Sequence, residues 1–286
     1  MAGETKWGTL HVVATPIGNL EDISLRALRT LRECEIIAVE DTRRTRKLLS
    51  HYGISRPLVS YYEHNEEQRI PALLDALRAG KDVALVSDAG SPGISDPGFR
   101  LVREAVDQGM PVTALPGPSA VILALSVSGL PTDRFSFYGF LPRSPSERRK
   151  VLQETAQVPH TLVFFESPRR VARTLADMRD LLGDRRGALC RELTKRFEQV
   201  ERGALSELLA KVGTRALKGE CCIVVEGGGR KAFEGPELEY TLQRALEDLR
   251  QRAGQPLREA SRQVARKYGL SRREVYQRAL EQKVPR

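Results

Sequence analysis

The sequence predicts an α/β protein: a parallel-sheet N-terminal domain with helices on both faces, a mixed-sheet second domain, and a helical C-terminal extension. Three observations carry that expectation. As far as Gly129, short apolar runs alternate with amphipathic stretches, the pattern of repeated βα units. From Phe135 the apolar runs follow one another more directly, as in an α+β sheet. Beyond Gly227-Gly228-Gly229, a flexible linker, only helical spacing remains. The expected divisions are 1–131, 132–229 and 230–286.

Thr9–Thr15 reads as the first strand, broken by Pro16-Ile17-Gly18-Asn19. Ile23–Cys34 has helical spacing, with Leu25, Leu28 and Leu31 on one stripe. Glu35–Val39 is a second strand and ends in Glu40-Asp41-Thr42-Arg43-Arg44; a basic helix then runs to Tyr52 and closes on Gly53. After a strand at Leu58–Tyr62, a helix spans Glu66–Ala79, with Pro71 expected near its first turn and Gly80 just past its end. Val83–Val86 is a strand with both faces covered. It runs into Ser87–Gly98, where three glycines and two prolines forbid regular structure. That loop is longer than a strand-to-helix connection needs and lets a ligand approach the backbone closely; its plain alternative is a long turn with Asp96 capping the next helix ahead of Pro97. A helix at Phe99–Gln108, a strand at Pro111–Leu115 and an apolar helix opened by Pro116–Ala120 complete the first unit.

In the second unit, Phe135–Phe140, His160–Phe165, Gly187–Leu193, Glu198–Leu205 and Glu220–Glu226 read as strands. Ser167 is expected to cap, and Pro168 to open, a helix reaching Leu182. The tail offers helices at Leu238–Arg252, Pro256–Tyr268 and Ser271–Gln282, with Ser271 as cap. Ala265, Gly269 and Val275 fit either a helix-turn-helix or a plain helical hairpin.

The unusual loops, TPIGN, EDTRR, SDAGSPGISDPG and LPGPSA, all leave carboxyl ends of strands, where open α/β sheets build ligand sites. Composition sets the partners. A chain of 286 residues with 41% hydrophobic and 29% charged residues is expected to be globular. It has no apolar run of membrane-spanning length and no secretory signal, so a cytoplasmic location is expected. Cys34, Cys190, Cys221 and Cys222 lack metal-ligand spacing and read as buried free thiols; no metal is expected. The segment 230–286 carries fourteen Lys or Arg against eight Asp or Glu, so +6 of the chain's +9 lies there, which favours a nucleic-acid partner. There is no GxxxxGK[ST], no GxGxxG after the first strand and no GxSxG, which removes the Walker loop and the dinucleotide fold and weakens a hydrolase reading.

TPIGNLEDIS, VEDTRRT, SDAGSPGISDPG, PGPSA, FYGFLPR, FFESPRR and CRELTKRFEQVERG, in this order from Leu10 to about Gly227, resemble the tetrapyrrole (corrin/porphyrin) methylase superfamily, in its ribosomal RNA branch. The resemblance implies two α/β domains with S-adenosylmethionine in the cleft between them, a homodimer, and 2′-O-methylation of a cytidine ribose in 16S ribosomal RNA at the decoding centre of the small subunit. By the same resemblance, the cofactor is expected along Pro16 and Gly18, the central loop Ser87, Asp88, Ala89, Gly90 and Ile94, the pair Ser119 and Ala120, the strand end Phe140 and Leu141, and the late loop Gly203 and Ala204.

A ribose hydroxyl is a poor nucleophile, so a base or cation is expected near strand ends: Asp41, Glu166, Glu192 or Lys195. Each has a plainer reading, Asp41 as a helix cap, the glutamates as partners of Arg169 and Arg191, and Lys195 as a phosphate contact. Arg43, Arg44, Arg143, Arg169 and Arg170 are expected RNA contacts. Two other readings stay open: a methylase of a tetrapyrrole or other small molecule, and a helix-turn-helix regulator with a ligand-sensing body.

Overall fold

The computed structural model describes residues 7–213, 217–228, 242–244, 246, 247, 249, 254–268 and 272–281. Two five-stranded sheets organise it. The first holds β1 (Leu10–Val13), β2 (Ile36–Val39), β3 (Leu58–Ser60), β4 (Val83–Val86) and β5 (Val112–Leu115) in the order β3-β2-β4-β1-β5, every pair parallel. Parallel neighbours need crossovers, and α1 (Leu25–Glu33), α2 (Thr42–His51), α3 (Glu66–Arg78) and α4 (Phe99–Asp107) supply them. Helices α1 and α2 bury Leu28, Leu31, Leu48 and Leu49 on one face of the sheet. Helices α3 and α4 bury Leu73, Leu77 and Leu101 on the other. With both faces covered, β4 is buried throughout, as its unbroken VALV run requires.

The second sheet is mixed, in the order β6-β7-β10-β8-β9. β6 (Phe135–Phe140) runs parallel to β7 (Thr161–Glu166). β8 (Arg186–Arg191), β9 (Gln199–Ala204) and β10 (Cys221–Val225) pair antiparallel. One face is covered by α6 (Pro145–Thr155), α7 (Val171–Leu182) and α8 (Leu205–Val212) around Leu152, Phe164, Leu175 and Leu208. The opposite face is covered by α5 (Ala120–Ser128), which follows the last strand of the first sheet yet packs Val121, Ala124 and Leu125 onto Val163, Cys190, Cys222 and Val224. That helix is apolar nearly all round; the side bearing Val121, Ala124 and Leu125 is buried on the sheet, while Ile122 is 52% exposed. In the tail, α9 (Leu257–Tyr268) and α10 (Arg272–Glu281) pack Ala260, Val264, Ala265, Val275 and Ala279 against Leu242 and Leu246. Gly269, Ser271 and the linker from Gly229 to Lys231 lie outside the described residues. Among the described residues, no helix is long and apolar enough to cross a membrane.

Several expectations need correction. Leu25 is 85% exposed, because as the first residue of α1 it lies off the stripe of Ala27, Leu28 and Leu31 that meets the sheet. Pro71 stands inside α3 rather than in its first turn, on the exposed side of the helix. Helix α7 starts at Val171 with Arg170 at its cap position, so Ser167 and Pro168 remain loop. Asp96 does not cap α4, whose cap residue is Gly98 at φ 142°.

Helices α6 and α7 are joined by a buried charge cluster. Both Nε and a terminal nitrogen of Arg148 reach Asp177 Oδ2 at 2.7 Å, and Arg149 reaches Oδ1 at 2.5 Å. Arg148 is buried, so losing its carboxylate strands a charge away from water. Asp177→Ala is expected to lower unfolding free energy by about 3 kcal/mol, read from urea denaturation. Arg149→Ala, whose arginine is 41% exposed, is expected to cost less than about 1 kcal/mol.

Candidate active site between the two sheets

The loop after β4 is fastened at both ends. At its start, the Thr15 and Gly90 amides donate to each other's carbonyls at 2.8 and 2.9 Å, an isolated antiparallel bridge. The Thr15 hydroxyl also donates to the Ser87 carbonyl at 3.1 Å. At its end, the Gly98 amide donates to buried Glu66 Oε1 at 3.2 Å. A Cβ on Gly98 would come within 3.1 Å of Leu85 Cδ2 and 3.2 Å of the Gly93 nitrogen, so the sequence needs glycine there. Between the two fastenings, residues 91–96 project toward the second sheet.

There the second sheet brings matching ends: Phe165 lies opposite both Phe140 and Cys222, and Cys221 lies opposite both Glu166 and Arg191. A register shift in β6, at Gly139 with φ 60°, turns the strand so that Phe140 meets Phe165 at 5.5 Å between ring centroids. The two edges enclose a cavity of about 370 Å³. The central loop and the start of α5 form one wall, Phe140, Phe165 and the Ser167-Pro168 loop another, and Cys190, Cys221 and Cys222 the floor. All four cysteines are free and buried.

A carboxylate that the sequence offered only as a cap is at the centre of the electrostatics. Asp96 lines the cavity, and burial pushes its carboxyl up to about 6. The like charges of Glu40, Asp88 and Glu220 add to that rise, and the Ser87 hydroxyl opposes it. Burial, then the Asp88 charge, also raises Glu40. The signal for Asp96 in the sequence was a carboxylate inside a Gly/Pro loop at a strand's carboxyl end, a setting that favours a site over a helix cap.

Of the expected cofactor residues, Ala89, Gly90, Ile94, Ser119, Ala120 and Phe140 line the cavity. Pro16 and Gly18 flank Ile17, which also lines it. Ser87 is buried beneath the loop, its hydroxyl 3.4 Å from the Gly90 carbonyl. Asp88 turns toward α2, accepting from the Asp41 amide at 3.0 Å and pairing with Arg44 at 3.2 Å. Leu141 is buried, with its carbonyl taken by Arg170. Gly203 and Ala204 do not line the cavity: they pair with Gly187 and Arg186, at the end of the sheet away from Glu166 and Arg191.

The expected catalytic groups divide by what already holds them. Asp41 caps α2, accepting from the Arg43 and Arg44 amides, and the Arg43 bond above all holds its carboxyl below its ordinary value. Glu166 is buried on the cavity wall, where it accepts from the Thr174 hydroxyl at 2.6 Å and its neighbour's amide, Ser167, at 2.7 Å. Arg170 Nε lies 3.2 Å from the same carboxylate, an ion pair without a directed hydrogen bond. Lys195 bridges Glu192 at 2.9 Å and Glu220 at 3.1 Å. Burial works against its charge, but those two hydrogen bonds outweigh it and hold the ammonium above its ordinary value. Burial likewise opposes charge on Glu192, and the bonds from Lys195 and the Glu220 amide still hold it low. Lys195 is therefore held as a cation between two carboxylates.

This segment also joins the two sheets. Asn19 donates to the Thr194 hydroxyl at 3.1 Å, and a Cβ on Gly18 would sit 2.4 Å from Lys195 Cγ. Glu192, Thr194 and Ser95 hold φ of 54°, 66° and 63°, left-handed backbone that non-glycine residues adopt only under constraint. Among the expected RNA contacts, Arg43, Arg143 and Arg169 are exposed, and Arg44 reaches Asp88 from the surface. Arg170 is spent internally, donating to the Leu141 and Pro142 carbonyls at 2.8 Å each.

Because the Glu166 oxygens are committed to Thr174, Ser167 and Arg170, Glu166→Gln is expected to act on stability. A drop of about 2 kcal/mol in urea unfolding is the expected outcome, with the turnover of the folded fraction changed less than about threefold. A loss of turnover by orders of magnitude at unchanged stability would return Glu166 to the list of bases.

The family model described as Tetrapyrrole (Corrin/Porphyrin) Methylases matches residues 9–209, and the one described as RsmI C-terminal HTH domain matches residues 234–283. The chain is 47% identical over 271 residues to the ribosomal RNA small subunit methyltransferase I of Halalkalibacterium halodurans, covering 94% of this chain and 93% of that one. It is 46% identical over 280 residues to the protein of the same name from Pseudomonas aeruginosa, covering 96% and 97%. The crystal structure of uroporphyrin-III C-methyltransferase from Thermus thermophilus complexed with S-adenosyl homocysteine shares the fold, with a TM-score of 0.54 and 22% identity over 76% of this chain and 97% of its own. With matching loops, matching sheets and close relatives along nearly its whole length, the chain belongs to the tetrapyrrole (corrin/porphyrin) methylase family, in the branch of the ribosomal RNA small subunit methyltransferase I proteins.

Proposed function

We propose that the chain uses S-adenosylmethionine to methylate the 2′-hydroxyl of a cytidine ribose in 16S ribosomal RNA, at the decoding centre of the small subunit, and that it works as a homodimer. The observation that carries the reading is the cavity between the sheets, which joins an aromatic wall to a cluster of carboxylates. A cationic sulfonium with an adenine ring suits that pairing: Phe140 and Phe165 offer ring faces, and Asp96, Glu40 and Asp88 supply a negative field. The glycine-bearing loop adds backbone groups at close range. The relatives' names supply the RNA class, and the basic segment 230–286 gives an RNA enzyme affinity that a small-molecule enzyme has no use for.

The bound cofactor supplies an electrophilic methyl, and the chain's residues do the rest. The loop 87–98 and the start of α5 fix the donor from one side, and the Ser167-Pro168 loop closes the other. Asp96 lines the cavity from within the loop 87–98 and is the residue we assign to accept the ribose hydroxyl proton; a carboxyl that burial pushes up is a stronger base than an ordinary aspartate. Lys195 offers a fixed positive charge at the rim, between Glu192 and Glu220. Positioning the hydroxyl in line supplies much of the rate.

The test is transfer of labelled methyl from S-adenosylmethionine to purified small subunits that lack native modification, followed by digestion to nucleosides. Label in 2′-O-methylcytidine supports the reading, and label on a base overturns the ribose chemistry. No label, with cofactor binding intact by calorimetry, moves the protein to a small-molecule substrate or a sensor. The value near 6 gives a second expectation: kcat/KM falls as pH drops through about 6, and Asp96→Asn loses at least about a hundredfold in kcat. The sign for stability is opposite. A carboxyl raised in the folded state favours folding at low pH and loses that contribution as pH rises from its ordinary range through about 6. Asp96→Asn is therefore expected to raise the thermal midpoint at pH 8 while removing activity.

A further inference from the structure

We infer that the outer faces of α1 and α2 form a phosphate-gripping surface that takes ribosomal RNA and leads it to the cavity rim, an inference that rests on the RNA methyltransferase reading above. The argument is a partition of charge between the two faces of one sheet. Helices α1 and α2 share one face, where they carry seven Arg or Lys and a single acid, Glu33. Helices α3 and α4 share the opposite face, where they carry four arginines and five acids. On that second face three of the four arginines are paired: Arg78 with Asp75, Arg100 with Glu66 and Glu67, Arg103 with Glu104. On the first face, the one ion pair among the described residues is Arg44 with Asp88.

The cations are also arranged for a shared ligand. Arg26, Arg29 and Arg32 recur every third residue along the exposed side of α1. Arg43, Arg46 and Lys47 stand on the exposed side of α2. The two helices are held side by side: the Tyr52 hydroxyl after α2 donates to the Leu20 carbonyl before α1 at 2.6 Å, and Arg56 donates to the Arg32 carbonyl. Like charges gathered on one face repel, and a protein keeps such an arrangement at a cost unless a polyanion neutralises it. Each helix is about 15 Å long. Both start at the cavity side, since α2 opens at Asp41 against Asp88 and α1 follows the Ile17–Asn19 loop that meets Thr194. A strand laid along this face would therefore end at the mouth of the cavity.

The test compares two triple variants of the full-length protein. R29A/R46A/K47A removes exposed cations from the proposed face, and R69A/R78A/R103A removes the same number from the opposite face. Alanine suits exposed helix positions, so thermal midpoints and S-adenosylmethionine binding by calorimetry serve as checks on folding. The proposed face is expected to show about a tenfold or larger rise in KM for small subunits at physiological salt with kcat retained at saturation. The slope of log affinity against log salt for 16S ribosomal RNA should fall by about 2 to 3. R29K/R46K, which keeps the charge, is expected to stay near the parent. An unchanged slope and KM, or an equal loss from the opposite face, overturns the inference. If the parent protein transfers no methyl to RNA, the functional reading fails by itself. The binding slopes then still decide the surface.

Discussion

The pair of hydrogen bonds between Thr15 and Gly90 is the constraint from which the site follows. It ties the end of the second-innermost strand, β1, to the loop leaving its neighbour β4, at a point where both strands have stopped pairing. A loop of a dozen residues rich in glycine would otherwise sample many conformations, at an entropic cost for every ligand it meets. Fastened at Gly90 and again at Gly98, it presents a defined set of backbone groups, with Asp96 already in place. The same bridge sets where Ile17 enters the cavity and where Gly18 passes under Lys195.

The second dependence is on α5. It follows the first sheet in sequence and completes the second sheet in space, so neither half of the cavity can be positioned without the other. The contact between Asn19 and Thr194 closes the arrangement on the far side. The left-handed backbone at Glu192 and Thr194 falls in this same segment, the usual place for strain to be held when geometry at a site has to be fixed.

Much of this was legible in the sequence, and the reasons are local. The alternation of apolar runs and amphipathic stretches requires the parallel sheet, and the odd loops at carboxyl ends require a site at that edge. What the sequence did not show depends on partners far away in the chain. In the sequence Glu166 reads as a base or a partner of Arg169 until Thr174 and Arg170 are placed on it, and Lys195 as a base or a phosphate contact until Glu192 and Glu220 hold it. Asp96 and Ser167-Pro168 were hidden for a different reason. Each precedes a helix with the chemistry of a cap, yet each helix starts a few residues later, leaving these residues to the cavity. The charge partition between the two helix layers was likewise invisible until topology assigned α1 and α2 to one face.

The cavity floor carries a consequence for the chemistry above it. Three cysteines lie beneath a site that fits an alkylating cofactor, and a thiolate is the side-chain form most readily alkylated. Burial pushes Cys190 up to about 11 and Cys221 up to about 12, and drives Cys222 upward as well. The floor is therefore kept as neutral thiol, soft enough to pack against a ligand but poor as a competing nucleophile.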